Sequence, residues 1–184
     1  MRQDSSSGVD DVPTLLVPKG THETLVEAAL EGAPREVCGV LGGEFGRDRS
    51  RVRSVYPATN AAETPQSRYR IDPEEQLEIF ERLEARGEDI VGFYHSHPRG
   101  PSAPSETDVE GATWPDRSYV IVFGSTLEVE DGSSSESKNG SSLESGAEPT
   151  LVFEDSTAQD VAVGSWRWRD SSGAFERERL CLLE

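Results

Sequence analysis

Lysine is almost absent from this chain: of its 18 basic residues only Lys19 and Lys138 are lysines, against 35 acidic residues and a formal net charge of −17. A phosphate backbone would be repelled by that field, and no basic patch stands out along the chain, so nucleic acid is not expected as a partner. Carboxylate in such surplus, with so little lysine, reads as a surface kept soluble in concentrated salt. Cysteine is also scarce. Cys38 and Cys181 are too few and too far apart for a disulfide framework. No apolar run is long enough to span a membrane, and Met1 to Asp11 lacks the hydrophobic stretch of a secretory signal, so a cytoplasmic protein is expected. Only 34% of residues are apolar, yet 184 residues are enough for one domain with a proper core.

What is present is a mixed pattern of short apolar strands and amphipathic helices. The segment to residue 12 is polar and expected to fray, with a single domain over 13–184. Thr14–Val17 reads as a strand, and Thr21–Leu30 as a helix with Leu25, Ala28 and Ala29 on one face and His22 at the surface. Glu36–Phe45 is a glycine-rich β run, paired through a polar turn with the alternating Arg51–Tyr56. Asp72–Arg86 carries clear helix signals: Asp72 at the N-cap, Pro73 in the first turn, Glu75 at the third position, Gly87 as a stop, and Leu77, Phe80 and Leu83 as the apolar stripe. Asp89–Tyr94 and Tyr119–Gly124 read as buried strands, and a helix opens at Ser105 and runs to about Trp114–Pro115. Asp131–Pro149 is a Ser/Gly/Glu tract with too little apolar surface to offset the entropy of ordering, and is expected to be a disordered insertion. Thr150–Phe153, Val161–Arg169 and Ala174–Leu183 are further strands, with Trp166 and Trp168 on one face and Arg167 and Arg169 on the other. The expected class is α/β of the mixed α+β kind, a central sheet flanked by about three helices.

Histidine is rare as well, and that makes its placement informative. Two of three histidines, His95 and His97, sit one residue apart at the end of a strand, followed by a proline-punctuated loop and the pair Ser105 and Asp108. Residues two apart on an extended segment point to the same side, so both imidazoles can reach one ion. Two imidazoles and a carboxylate form a donor set suited to zinc, and three protein ligands leave a fourth position for water, the arrangement of a catalytic site. Taken alone, S-x-x-D before a helix is a capping pair, and H-x-H alone is weak; together, and with that loop between, they point to a metal. The capping and ligand roles can coexist. Cys38 reads as a small buried residue near the site, not a ligand. A zinc deaminase would need a P-C-x-x-C pair, which the chain lacks.

H-S-H-P, then seven residues from His97 to Ser105, then S-x-x-D, matches the H-x-H-x7-S-x2-D motif of the JAMM (MPN+) metalloprotease family, and E-V-C-G-V-L-G-G from Glu36 resembles that family's strand bearing the catalytic glutamate. The resemblance covers roughly Leu16 to Gly124. It implies a cytidine-deaminase-like JAB/MPN domain in which His95, His97 and Asp108 bind Zn2+, Glu36 is the general base and acid, and Ser105 stabilises an oxyanion. Compact acidic members look like the archaeal, desampylase-type isopeptidases. The implied partners are ubiquitin-like modifier proteins with a C-terminal Gly-Gly, together with their protein conjugates; the narrow tail would thread beside Gly42–Gly43 or the loop from Arg99 to Pro104. Two alternatives stand beside this: a peptidase that processes a sulfur-carrier precursor, and a non-catalytic scaffold, which completeness of the motif argues against.

Overall fold

The computed structural model describes residues 12–124 and 161–184. In chain order its elements are β1 (Thr14–Pro18), α1 (Lys19–Gly32), β2 (Cys38–Glu44), β3 (Arg49–Ala58), α2 (Pro73–Ala85), β4 (Asp89–His97), α3 (Glu106–Gly111), β5 (Ser118–Gly124), β6 (Val161–Arg169) and β7 (Ala174–Leu183). The strands form one mixed sheet in the order β1-β3-β2-β4-β5-β6-β7, and β7 pairs back to β1, so the sheet closes on itself. The mixed sheet with three helices follows the pattern of the sequence. Closure does not show in local patterns, because it depends on β1 pairing in parallel with both β3 and β7. The N-terminal segment to residue 11, the tract at 131–149 and the expected strand at 150–153 lie outside the described residues.

Two apolar groups flank the sheet. Leu25 and Ala29 of α1 pack with Leu15, Val17, Val120 and Val122. Ala28 is only half-buried, and so is His22, whose imidazole loses proton affinity to burial, with Glu23 opposing. On the other side Ile79 and Leu83 of α2 join Val40 and Phe93. Full burial of such a side chain contributes about 1.5–3 kcal/mol. Ile79, not Leu77, completes the stripe: Leu77 is 60% exposed, because at about 100° per residue it points roughly 160° away from Ile79.

The start of α2 is fastened as its sequence suggests, with one exchange of partners. Asp72 Oδ1 accepts from the amides of Glu74 at 3.0 Å and Glu75 at 3.2 Å. Glu75 does not reach back to the cap. The Asp72 amide already donates to Thr59 O at 3.1 Å, and the Glu75 carboxylate instead accepts from Thr59 N at 2.6 Å and Thr59 Oγ1 at 2.8 Å. The helix thereby anchors the irregular stretch that follows β3.

At one end of the sheet sits a buried ion pair that strand alternation did not suggest. Arg167 lies on the face opposite Trp168, as expected, but is wholly buried. Its Nε donates to Glu178 at 2.5 Å, and the rest of the guanidinium donates to Gly46 O at 3.0 Å, Arg47 O at 2.5 Å and Ser50 Oγ at 3.0 Å. Ser165 Oγ completes the Glu178 carboxylate at 2.6 Å. One side chain therefore ties the β2–β3 turn to β6 and β7.

Candidate metal and active site

The strand that delivers the histidines is longer than its apolar run: β4 continues through His97, so both imidazoles project from regular β backbone. Antiparallel pairing sets Cys38 opposite His95. Continuing that register outward sets Glu36 opposite His97, and two bonds hold the step: Ser96 N donates to Val37 O, and Val37 N donates to Ser96 Oγ, each at 3.0 Å. Directly opposed residues share a face. Glu36, Cys38, His95 and His97 therefore line one wall.

Asp108 comes from the short helix α3, which ends at Gly111, before the expected limit near Trp114. Ser105 caps it in a reciprocal box. Ser105 Oγ accepts from Asp108 N at 3.3 Å, while Asp108 Oδ2 accepts from Ser105 N and from Ser105 Oγ, both at 2.6 Å. The same carboxylate faces the histidines, with Oδ1 at 3.0 Å from His95 Nε2 and Oδ2 at 3.2 Å from His97 Nε2. The capping and site roles of S-x-x-D coexist in one side chain.

The donor atoms suit a tetrahedral cation. His95 Nε2 and His97 Nε2 lie 2.9 Å apart, and the carboxylate oxygens close the triangle at 3.0 and 3.2 Å. Zinc with bonds of about 2.0–2.1 Å spaces tetrahedral ligands by about 3.3 Å. His97 Nδ1 lies 2.8 Å from Pro101 O, which can only accept, so Nδ1 carries the proton and the neutral ring turns its Nε2 lone pair inward. The three residues are buried. Gly100 belongs to this support: a Cβ there would meet His97 Cγ at 2.9 Å.

Electrostatics separate the two carboxyls. Burial of Asp108 works against its ionisation, but hydrogen bonds from His95 and His97 outweigh it and hold the carboxyl well below the usual range. Among the described residues Glu36 has no such bonds. Burial pushes it up to about 7, with His97 opposing and the Asp108 charge adding to the rise. Burial lowers the proton affinity of His95 despite Asp108, whereas at His97 the bonds to Asp108 and Pro101 outweigh burial and raise it. Cys38 stays outside the donor group: its Sγ lies 3.7 Å from Ala58 O, and burial pushes the thiol up to about 12.

Gly42–Gly43, expected to flank a substrate tail, lies elsewhere. It pairs with Ile90 and Asp89 at the opposite end of β4 from the histidines. A Cβ on Gly42 would meet Leu83 at 2.2 Å, and Gly43, at a bulge with φ +151°, would meet Arg51 O at 2.2 Å. These glycines serve sheet packing. Asp108 instead lines a groove of about 800 Å³ together with Tyr69, Arg70, Phe93, Thr107, Trp114 and Tyr119.

Tyr69 was not singled out by any motif. Its ring stacks on His95 at 4.2 Å between centroids and 20° between planes. It sits in the irregular stretch 59–71, where no periodicity exposes a side chain's neighbours, and an aromatic just ahead of the Asp72 cap was the one available hint.

The chain is similar to several known proteins. The profile described as prokaryotic homologs of the JAB domain matches residues 18–134. A desampylase of Haloferax volcanii is 45% identical over 104 residues, which are 54% of this chain and 73% of that protein. A CysO-cysteine peptidase of Mycobacterium tuberculosis is 40% identical over 111 residues, 60% and 74% of the two chains. A probable TtuB-protein conjugate cleaving protease of Thermus thermophilus is 36% identical over 110 residues, 60% and 70%. The solution structure of a Desulfitobacterium hafniense protein superposes with a TM-score of 0.68 at 26% identity, covering 93% of this chain and 94% of that one. The match extends over more than half of the sequence and takes in every residue of the site just described, so this chain belongs to the family of prokaryotic JAB-domain homologs.

Proposed function

We propose that this protein is a zinc-dependent peptidase that cuts after the C-terminal glycine of a ubiquitin-like modifier, freeing it from target lysines or from linear fusions. The observation that carries the reading is the buried triangle of His95 Nε2, His97 Nε2 and the Asp108 carboxylate, with Glu36 on the same wall. His95, His97 and Asp108 would hold the ion. Bound there, zinc supplies Lewis acidity and a water whose pKa lies near neutrality, about 7 in zinc hydrolases.

Glu36 handles protons. A carboxyl poised near neutral pH accepts a proton from water and returns it to the departing amine, work worth roughly 10²–10⁴-fold in rate. Ser105 Oγ is shared between two residues that line the groove, Asp108 at 2.6 Å and Thr107 at 2.8 Å. Turned toward substrate, that hydroxyl donates to the developing oxyanion, a contact worth about 3 kcal/mol. The groove beside Tyr69 and Trp114 would receive an extended tail, its aromatic rings packing against the chain and polar residues such as Arg70, Gln76 and Thr107 meeting the backbone.

Likeness to a desampylase and to a probable TtuB-protein conjugate cleaving protease supports the first reading, with protein conjugates as substrates. Likeness to a CysO-cysteine peptidase supports a second reading for this chain, processing of a sulfur-carrier precursor or release of an amino acid from its C-terminus. Mass analysis of a purified modifier–lysine conjugate after incubation tests the first. Cleavage after the final glycine, abolished by chelation and in Glu36→Ala, is expected; release that persists with either change overturns the mechanism. Carrier–amino acid adducts cut much faster than conjugates would favour the second.

A further inference from the structure

Glu36 is held through its backbone by residues remote from the histidines. Its amide donates to Pro65 O at 2.6 Å, and its carbonyl accepts from Asn60 Nδ2 at 2.9 Å. The Asn60 amide is used to the full. Nδ2 also donates to Arg68 O at 3.0 Å, and Oδ1 accepts from Ala62 N at 3.0 Å and Arg70 N at 3.1 Å. A neutral side chain with two donors and two acceptors thus closes the stretch 60–70 into a loop and fastens it to the residue before β2. Tyr69, stacked on His95, lies inside that loop, and Arg70 Nη2 braces it through Ala61 O at 2.8 Å.

We infer that Asn60 is a positioning residue: its carboxamide registers the Glu36 backbone and the Tyr69-bearing groove wall to each other, so that the proton-handling carboxyl and the His95 ring are set by one clamp. The inference rests on the proposed role of Glu36. Among the described residues Asn60 bonds no metal ligand; it acts through the backbone of Glu36 and of the groove residues Ala62, Arg68 and Arg70. Only an amide fits the pattern. Aspartate of the same shape keeps both acceptors for Ala62 and Arg70 but turns an oxygen toward two carbonyls, and alanine releases all four groups.

The test compares Asn60→Asp and Asn60→Ala with Glu75→Ala, which frees Thr59, the residue before Asn60, without touching Glu36 or lining the groove. Misplacing a reacting group by about 1 Å can cost about 100-fold in rate. For both Asn60 variants we expect kcat on a modifier conjugate to fall by that factor, with KM within about threefold and zinc content unchanged. Glu75→Ala should keep kcat. Independently of turnover, amide hydrogen exchange at Glu36 and Arg70 should accelerate in Asn60→Asp while the β4 amides stay protected. Unchanged exchange at Glu36 overturns the clamp, whatever the activity. Accelerated exchange with wild-type kcat overturns its positioning role. A wild-type enzyme inactive on every conjugate, with accelerated exchange in the variant, would sink the proposed function and leave the clamp standing.

Discussion

At Glu36 the demands of chemistry and stability diverge. Its carboxyl is buried and, among the described residues, has no hydrogen-bonded cation, so ionising it in the folded protein is unfavourable, and its pKa rises from 4.5 to about 7. The sign follows from linkage. Below about pH 4.5 the group is protonated folded or unfolded and costs nothing; as pH climbs toward 7 the unfolded chain releases the proton first, and folding loses stability. In metal-free protein, Glu36→Gln should therefore melt with wild type at pH 4.5 and above it at pH 8, followed by circular dichroism. Loaded with zinc, the same variant should bind the ion normally yet lose roughly 10²–10⁴ in kcat. Equal melting at both pH values would mean that the carboxyl is solvated. The residues legible in the sequence were those whose chemistry is tied to spacing: His95, His97 and Asp108 converge as their pattern required. Tyr69 and Asn60 were not legible, because each acts across an irregular stretch where sequence distance says nothing of spatial distance.

Among the elements, helices with terminal signals were read best, and their contacts with the rest of the fold least well. Asp72 caps α2 as its sequence announces, but Glu75 turned to Thr59 since the cap's own amide was already satisfied by tertiary structure. Alternation in β6 set Trp168 and Arg167 on opposite faces without revealing that the arginine side is interior; that depends on β7 bringing Glu178 beside it and on the sheet closing. The buried pair yields an element-scale prediction. Removing one partner strands a charge that has no access to water, which typically costs 3–5 kcal/mol. Glu178→Ala should therefore lower the urea midpoint markedly, whereas Glu176→Ala, an exposed neighbour of Arg169, should change stability by less than about 1 kcal/mol. At temperatures where Glu178→Ala remains folded its kcat should match wild type, because the pair ties β6 and β7 to the turn at Gly46, far along β2 from Glu36. A kcat that fell with stability intact would show that this cluster communicates with the site.

For the whole molecule, charge is unevenly placed. The outer face where β3, β1 and β7 adjoin carries exposed Arg49, Arg51 and Arg179, set by register around Thr14 and Leu16, while α2 presents exposed Glu74, Glu78, Glu81 and Glu84. The linear sequence hid this grouping, because Arg179 reaches the others only through the parallel pairing of β7 with β1. Local attraction across such a surface is weak, and the net −17 dominates. A compact state of that charge repels itself, and the unfolded chain relieves the repulsion by expanding. Added salt shortens the screening length from about 10 Å at 0.1 M to about 3 Å at 1 M, which removes most repulsion between exposed carboxylates while leaving the buried Arg167–Glu178 pair nearly untouched. The thermal midpoint should accordingly climb between 0.1 and 1 M KCl, and climb less in a variant whose α2 glutamates are changed to glutamine. Potassium chloride is the salt of choice, since sulfate would stabilise any protein by exclusion from its surface. A midpoint that is flat or falling over this range would mean that net self-repulsion does not limit this fold, and the reading of the acidic surplus as an adaptation to concentrated salt would lose its physical basis.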